Sequence, residues 1–130
     1  MIFVDSSVWI DYFNGHQTDT TEYLEFILGK QSVIAGDLVL TEVLQGFRSD
    51  KDYLSAKRLM SAVEIVPIGG ERMAIQAAEY YRFLRKQGVT VRKTIDVLIA
   101  TYCLEQDIPL LQSDRDFLPF AEHLDLQLVP

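Results

Sequence analysis

The chain contains a single cysteine, Cys103, in 130 residues. That excludes a disulfide framework and a zinc site built from several cysteines, and leaves Cys103 to read as a small core residue. The four prolines are scattered, and no Pro/Gly-rich linker, repeat or low-complexity tract is present. Residues 1–130 therefore read as one domain near the usual modal size. No apolar run approaches the roughly 20 residues needed to cross a bilayer. The opening Met-Ile-Phe-Val-Asp lacks a basic segment and meets an acid at Asp5, so no secretory signal is expected. Together these absences predict a protein of a reducing cytoplasm that makes no membrane contact. Basic residues are also few, 12 against 19 acids, for a net charge of −7. At face value that argues against a polyanionic partner. Apolar residues at 48% and charged residues at 24% leave no room for disorder, collagen or coiled coil.

What is present is an alternation of short apolar runs and longer amphipathic ones. Ile2-Phe3-Val4 reads as a buried strand. Ser6 or Ser7 is placed to cap a short helix through Phe13, and a second helix runs from Thr21 to about Leu28. A short strand follows at residues 32–35, then a helix capped by Asp37 and reaching about Phe47, and another over residues 50–62. Residues 63–68 read as a strand, and residues 71–87 as the longest helix. Thr94 is placed to cap a very apolar helix over residues 95–105. Strands over 108–111 and 126–129 complete the pattern. Strands separated by helices predict an α/β fold with a mainly parallel sheet. In such sheets, sites collect beyond the carboxyl ends of the strands, where strand order switches.

Several carboxylates fall there. Asp5 ends the first strand. Glu42 lies one turn from Leu38 and Val39 on a helix that is apolar around most of its circumference. Asp96 shares a stripe with Ile99, Ala100 and Cys103, although the helix dipole alone would favour an acid in a first turn. Asp114 and Asp116 follow the strand at 108–111, where an acid also suits a turn or cap. A buried ionised carboxylate is costly unless it is paired or binds a metal, and clustered like charges need cations. Oxygen-only ligands select hard ions, Mg²⁺ or Mn²⁺, which clamp a phosphodiester during attack by water. Setting these five aside leaves 14 acids against 12 bases, so the low overall charge does not exclude RNA.

Four segments in order carry a family resemblance: Met1-Ile2-Phe3-Val4-Asp5-Ser6-Ser7, Thr41-Glu42-Val43-Leu44-Gln45-Gly46, Val91-Arg92-Lys93-Thr94-Ile95-Asp96-Val97-Leu98-Ile99-Ala100 and Ser113-Asp114-Arg115-Asp116-Phe117. With them the chain resembles PIN-domain ribonucleases, most closely the VapC toxins of toxin–antitoxin pairs. The resemblance implies a three-layer α/β/α sandwich with a mainly parallel sheet of four or five strands. It also implies an acidic quartet of Asp5, Glu42, Asp96 and Asp114 holding Mg²⁺ or Mn²⁺, with Asp116 a nearby fifth carboxylate and Ser6 an auxiliary polar group. Asp114 is preferred to Asp116 as the metal ligand because it is nearer the strand end. The activity implied is endoribonuclease cleavage by a metal-activated water; the partners implied are an RNA substrate, a VapB-like antitoxin and a second copy of the chain.

Outside the acidic motifs, five of the 12 basic residues fall between positions 82 and 93, interleaved with aromatic residues in Tyr80-Tyr81-Arg82-Phe83-Leu84-Arg85-Lys86. This stretch reads either as a solvated basic face or as a guide for an RNA backbone, with Arg92 the member placed to touch substrate. Trp9, Tyr12 and Phe13 read as core or as part of a groove for a partner peptide. His16 and His123 read as loop residues without a role. Two rival readings remain: another metal-dependent phosphodiesterase or phosphatase, and an inactive interaction module on the same scaffold. An aspartyl-phosphate enzyme would usually show Asp-x-Asp after the first strand, whereas Asp5 is followed by Ser6 and Ser7.

Overall fold

The computed structural model describes residues 1–129. Four strands, β1 (Ile2–Val4), β2 (Val33–Gly36), β3 (Glu64–Val66) and β4 (Leu110–Leu111), form one sheet in the order β3-β2-β1-β4. All three pairings are parallel, with Ile2 opposite Val33, Phe3 opposite Leu110 and Ile34 opposite Glu64. Parallel strands need crossover connections. These are supplied by α1 (Ser6–Phe13), α2 (Asp19–Ile27), α3 (Asp37–Gln45), α4 (Asp50–Met60), α5 (Glu71–Lys86) and α6 (Thr94–Gln106), and α7 (Leu118–Leu124) follows the last strand. Helices α1 to α4 pack among themselves, as do α5, α6 and α7, giving the three layers of an α/β/α sandwich.

Burial explains the strand sequences. β1 and β2 are buried along their whole length, as expected for parallel strands covered on both faces, and the apolar runs there have no polar alternation. Phe3, Trp9, Ile34, Ile99, Leu110, Phe117 and Phe120 are among the fully buried side chains. Gly36 is required by close approach rather than by backbone angle. A Cβ at that position would lie 2.8 Å from Ile68 Cδ1, and Ile68 is itself fully buried.

The structure corrects the sequence reading at several ends. Asp5, not Ser6 or Ser7, caps α1, its carboxylate accepting from the Ser7 amide. Gly36 and Lys93 occupy the cap positions assigned to Asp37 and Thr94, neither with a side-chain cap bond. The expected strand over residues 126–129 reduces to a bridge between Leu128 and Leu110. Residues 115–117 form a short 3₁₀ turn, and α7 follows it with Pro119 in its first turn. His123 is therefore on a helix, not in a loop. Trp9 is core, stacked on Phe13 with centroids 6.0 Å apart, while Phe13 also lines a small groove with Val43 and Phe47.

Candidate active site

The strand order switches between β1 and β4, because β2 and β3 lie on the other side of β1. Asp5 leaves the carboxyl end of β1, and Gln112 to Asp116 leave that of β4. Their carboxylates therefore flank the crevice where α/β sheets bind ligands. A cleft of about 300 Å³ opens there, lined by Asp5, Ser6, Ser7, Ile10, Asp11, Glu42, Lys93, Asp96 and Asp114.

Asp5 is 2% exposed. Its Oδ2 accepts from the Ser7 amide at 3.1 Å and from Ser7 Oγ at 2.5 Å, and Ser6 Oγ approaches its Oδ1 at 3.5 Å. Burial pushes the Asp5 carboxyl above its ordinary range. The Ser7 and Ser6 hydrogen bonds oppose that rise, and the Glu42 charge adds to it. Ser7 Oγ also accepts from the Ser113 amide at 3.3 Å, tying the end of β1 to the loop after β4. Sequence reading took Ser7 only as a candidate cap. Its second role depends on a partner 106 residues away, which no local pattern signals.

Asp96 is 5% exposed in the first turn of α6, a helix whose Val97, Ile99, Ala100, Thr101 and Cys103 are also buried. Its carboxyl is pushed up to about 7, first by burial and then by the Asp5 charge; Lys93 opposes this, and Asp114 and Asp116 add to it. Its Oδ2 is buried with no hydrogen-bond partner, and so is Glu42 Oε1.

Asp96, Asp114 and Asp116 each place a carboxylate oxygen within 4.8 Å of the other two. Asp114 accepts from the Asp116 amide at 2.9 Å, capping the 3₁₀ turn, and pairs with Lys93 at 3.6 Å. Asp116 pairs with Arg92 at 3.3 Å and, unlike Asp114, does not line the cleft. Asp5 and Glu42 line the cleft with Asp96 and Asp114 but lie outside the tight triad. Thus all five carboxylates singled out in the sequence converge on one end of the sheet, as two overlapping sets. Sequence reasoning passed over Asp11, which faces the same cleft and approaches His16 at 3.4 Å.

Among its lining groups the cleft offers a divalent cation only oxygen donors, and two of those oxygens are buried without partners. An orphaned buried carboxylate oxygen is expensive, and a hard cation satisfies it. The residues fit Mg²⁺ or Mn²⁺.

Fold and cleft together define an α/β domain with a carboxylate-lined crevice at its topological switch point. The family model for the PIN domain matches residues 2–122, and the chain belongs to the PIN-domain family. Ribonuclease VapC11 of Mycobacterium tuberculosis is 26% identical over 129 residues, covering 98% of this chain and 96% of that protein. Among solved structures, VapBC2 from Rickettsia felis, bound to a DNA fragment from its promoter, matches with a TM-score of 0.77 at 19% identity over 99% of this chain and 98% of that one. VapC20 of Mycobacterium tuberculosis, a toxin that cleaves the sarcin-ricin loop, matches with a TM-score of 0.68 at 19% identity over 91% of this chain and 93% of that one. At such identities these structures speak for the fold.

Proposed function

We propose that this chain is a Mg²⁺- or Mn²⁺-dependent endoribonuclease, the cytoplasmic toxin of a toxin–antitoxin pair, with residues 1–130 forming a single nuclease domain. The observation that carries the chemistry is the pair of partnerless buried oxygens, Glu42 Oε1 and Asp96 Oδ2, in a cleft shared with Asp5 and Asp114. Asp96, Asp114 and Asp116 would hold a metal, with Asp5 and Glu42 the further carboxylates available to it in the cleft. When bound, the ion supplies a water acidified toward neutral pH and offsets negative charge on the phosphate. Asp5 is locked by Ser7, so its position does not have to be organised at the moment of reaction. Lys93 presents an ammonium at the cleft wall, where it attracts a phosphate oxygen, and Arg92 and Ser6 are the further polar contacts for substrate. No nucleophilic side chain is needed, and hydrolysis by water would leave a 5′-phosphate and a 3′-hydroxyl.

The substrate class and the biological role rest on the relatives. VapC11 is named a ribonuclease at 26% identity over nearly the whole of both chains, and VapC20 is described as a toxin that cleaves the sarcin-ricin loop. A VapB-like antitoxin and a second copy of the chain are the proposed partners. Among the described residues no helix is long and apolar enough to cross a membrane.

The test is cleavage of RNA by purified, antitoxin-free protein with Mg²⁺ or Mn²⁺, with analysis of the product ends. Excess EDTA, or Asp96→Asn, should each lower the rate by at least about 10²-fold. Undiminished activity under either condition overturns the metal assignment.

A further inference from the structure

A second cavity, of about 410 Å³, lies between α5 and the start of α6. Its size falls in the range of roughly 300–1,000 Å³ typical of small-ligand sites. The floor exists because α5 presents only methyl groups there. Ala74, Ala77 and Ala78 sit at i, i+3 and i+4, one face of the helix, and buried Val91 and Val97 close the base. One turn further along α5, Tyr81 forms an aromatic wall, with the Arg85 guanidinium 5.7 Å from its ring centroid.

The mouth is basic in an otherwise acidic protein. Arg82, Arg85 and Arg92 all line it. Arg92 pairs with Asp116; among the described residues, Arg82 and Arg85 have no carboxylate within ion-pairing distance. In a chain with 19 acids and 12 bases, leaving two adjacent guanidinium groups without acids beside an apolar, aromatic-walled cavity marks a place for an anion carrying a flat ring.

The cavity and the carboxylate cleft share one stretch of backbone. Lys93 has φ −116° and ψ 125°, an extended conformation in which neighbouring side chains point to opposite sides. Arg92 and Thr94 face this cavity, while Lys93 faces the cleft. The two sites therefore adjoin along residues 92–94, and the Arg92 guanidinium reaches from this cavity to Asp116.

We propose that this cavity is a nucleotide subsite. It takes the unpaired base next to the scissile phosphodiester, stacked on Tyr81 over the alanine floor, with the adjoining phosphate held by Arg82, one of the mouth's two guanidinium groups that carry no acid among the described residues. The proposal rests on the ribonuclease reading and makes the RNA substrate single-stranded at that position. Aromatic stacking with flanking guanidinium groups is the usual means of holding an unpaired base.

The experiment is fluorescence anisotropy of the metal-free protein, in EDTA, with a labelled single-stranded oligoribonucleotide that the protein cleaves when metal is added. The oligoribonucleotide is scanned with single abasic sites. One position beside the cleavage point should weaken binding by roughly 5- to 150-fold, the value of one stacked base. Tyr81→Ala should cost the same factor on the intact RNA and nothing further on that abasic RNA, and Tyr81→Phe should bind as wild type. Arg82→Ala should flatten the salt dependence by the equivalent of one phosphate contact, a slope change of about 0.7. No sensitive abasic position, or equal loss at every position, overturns the subsite while leaving the ribonuclease reading intact. If the protein cleaves no RNA, the scan is run on an oligoribonucleotide that it binds, and one sensitive position there upholds the subsite and sinks the reaction. Loss of self-association by Ala78→Glu with RNA affinity unchanged assigns the cavity to a second copy instead, and overturns the proposal.

Discussion

Replacing Asp96 by Asn should stabilise the metal-free protein progressively as pH rises above about 4. Burial, reinforced by the Asp5 charge, moves the Asp96 carboxyl from its ordinary 3.8 to about 7. Between those values the folded state holds a proton that the unfolded chain has released. Stability therefore falls as pH rises from about 4, by about 1.4 kcal/mol per pH unit, and levels off above about 7. The accumulated cost is about 4 kcal/mol at pH 8, and Asn, which never ionises, avoids it. At roughly 4 °C per kcal/mol for a domain of this size, the variant should melt about 15 °C higher than wild type at pH 8 in EDTA. At pH 4 the two should melt together. Saturating Mn²⁺ should remove most of that gap. A ligand at a hundred times its Kd adds about 2.7 kcal/mol to the state that binds it, and the variant has lost a carboxylate from the triad. Thermal melts of both proteins at pH 4, 6 and 8, with EDTA and with Mn²⁺, provide the readout. A variant no more stable than wild type at pH 8 in EDTA, or a difference that does not change with pH, would show that Asp96 is an ordinary first-turn acid favoured by the helix dipole.

Gly36→Ala should destabilise the fold by about 1–3 kcal/mol through overpacking, measured by urea unfolding. Ile68→Val should restore part of it, because it deletes the Cδ1 atom that lies 2.8 Å from the new Cβ. Ser7→Ala removes the hydroxyl that donates to Asp5 and accepts from the Ser113 amide. It should cost about 1–3 kcal/mol in the same assay and lower RNA cleavage in Mg²⁺, whereas wild-type cleavage would show that Asp5 is positioned without it. Lys93→Met removes the one charge that holds the Asp96 carboxyl down. The midpoint of Mn²⁺ binding against pH, followed by calorimetry, should therefore move upward; an unmoved midpoint would contradict the placement of Lys93 beside the cluster.

The parts of this molecule that are legible in its sequence are those governed by local periodicity and burial. Ile2-Phe3-Val4 is an unbroken apolar run because β1 is covered on both faces, and an acid directly after such a run lies at the carboxyl end of a strand. Asp96 stands out because the rest of its helix has almost no polar face, so any acid in it must be buried. The missed features depend on contacts remote in sequence or on local geometry of a finer grain. α7 spans only Leu118–Leu124, too short for a clear period, and Pro119 suggests a break, although proline is well accommodated in a first helical turn. The link from Ser7 to Ser113 exists only once β1 and β4 are neighbours. Whether Asp114 or Asp116 faces the cleft depends on the 3₁₀ turn between them, which points the first toward Lys93 and the second toward Arg92.

The distribution of charge, rather than its sum, reconciles an acidic chain with a polyanionic substrate. A net charge of −7 spread evenly would repel RNA over a Debye length of about 8 Å at physiological salt. Here five of the acids converge at one end of the sheet, and two cations of the 92–93 segment are drawn onto them, Arg92 to Asp116 at 3.3 Å and Lys93 to Asp114 at 3.6 Å. A divalent ion would compete with those two side chains for the same carboxylates. In the proposed enzyme the cluster would then be offset, and Arg92 and Lys93 would be released toward phosphate. RNA affinity should then rise on metal binding by more than the ion's own charge accounts for, and the excess should shrink in the Arg92→Ala protein. Anisotropy titrations of an RNA made uncleavable by 2′-O-methylation, with and without Mg²⁺ in both proteins, separate the two contributions. Equal gains in both would mean that Arg92 stays with Asp116 when the metal is bound.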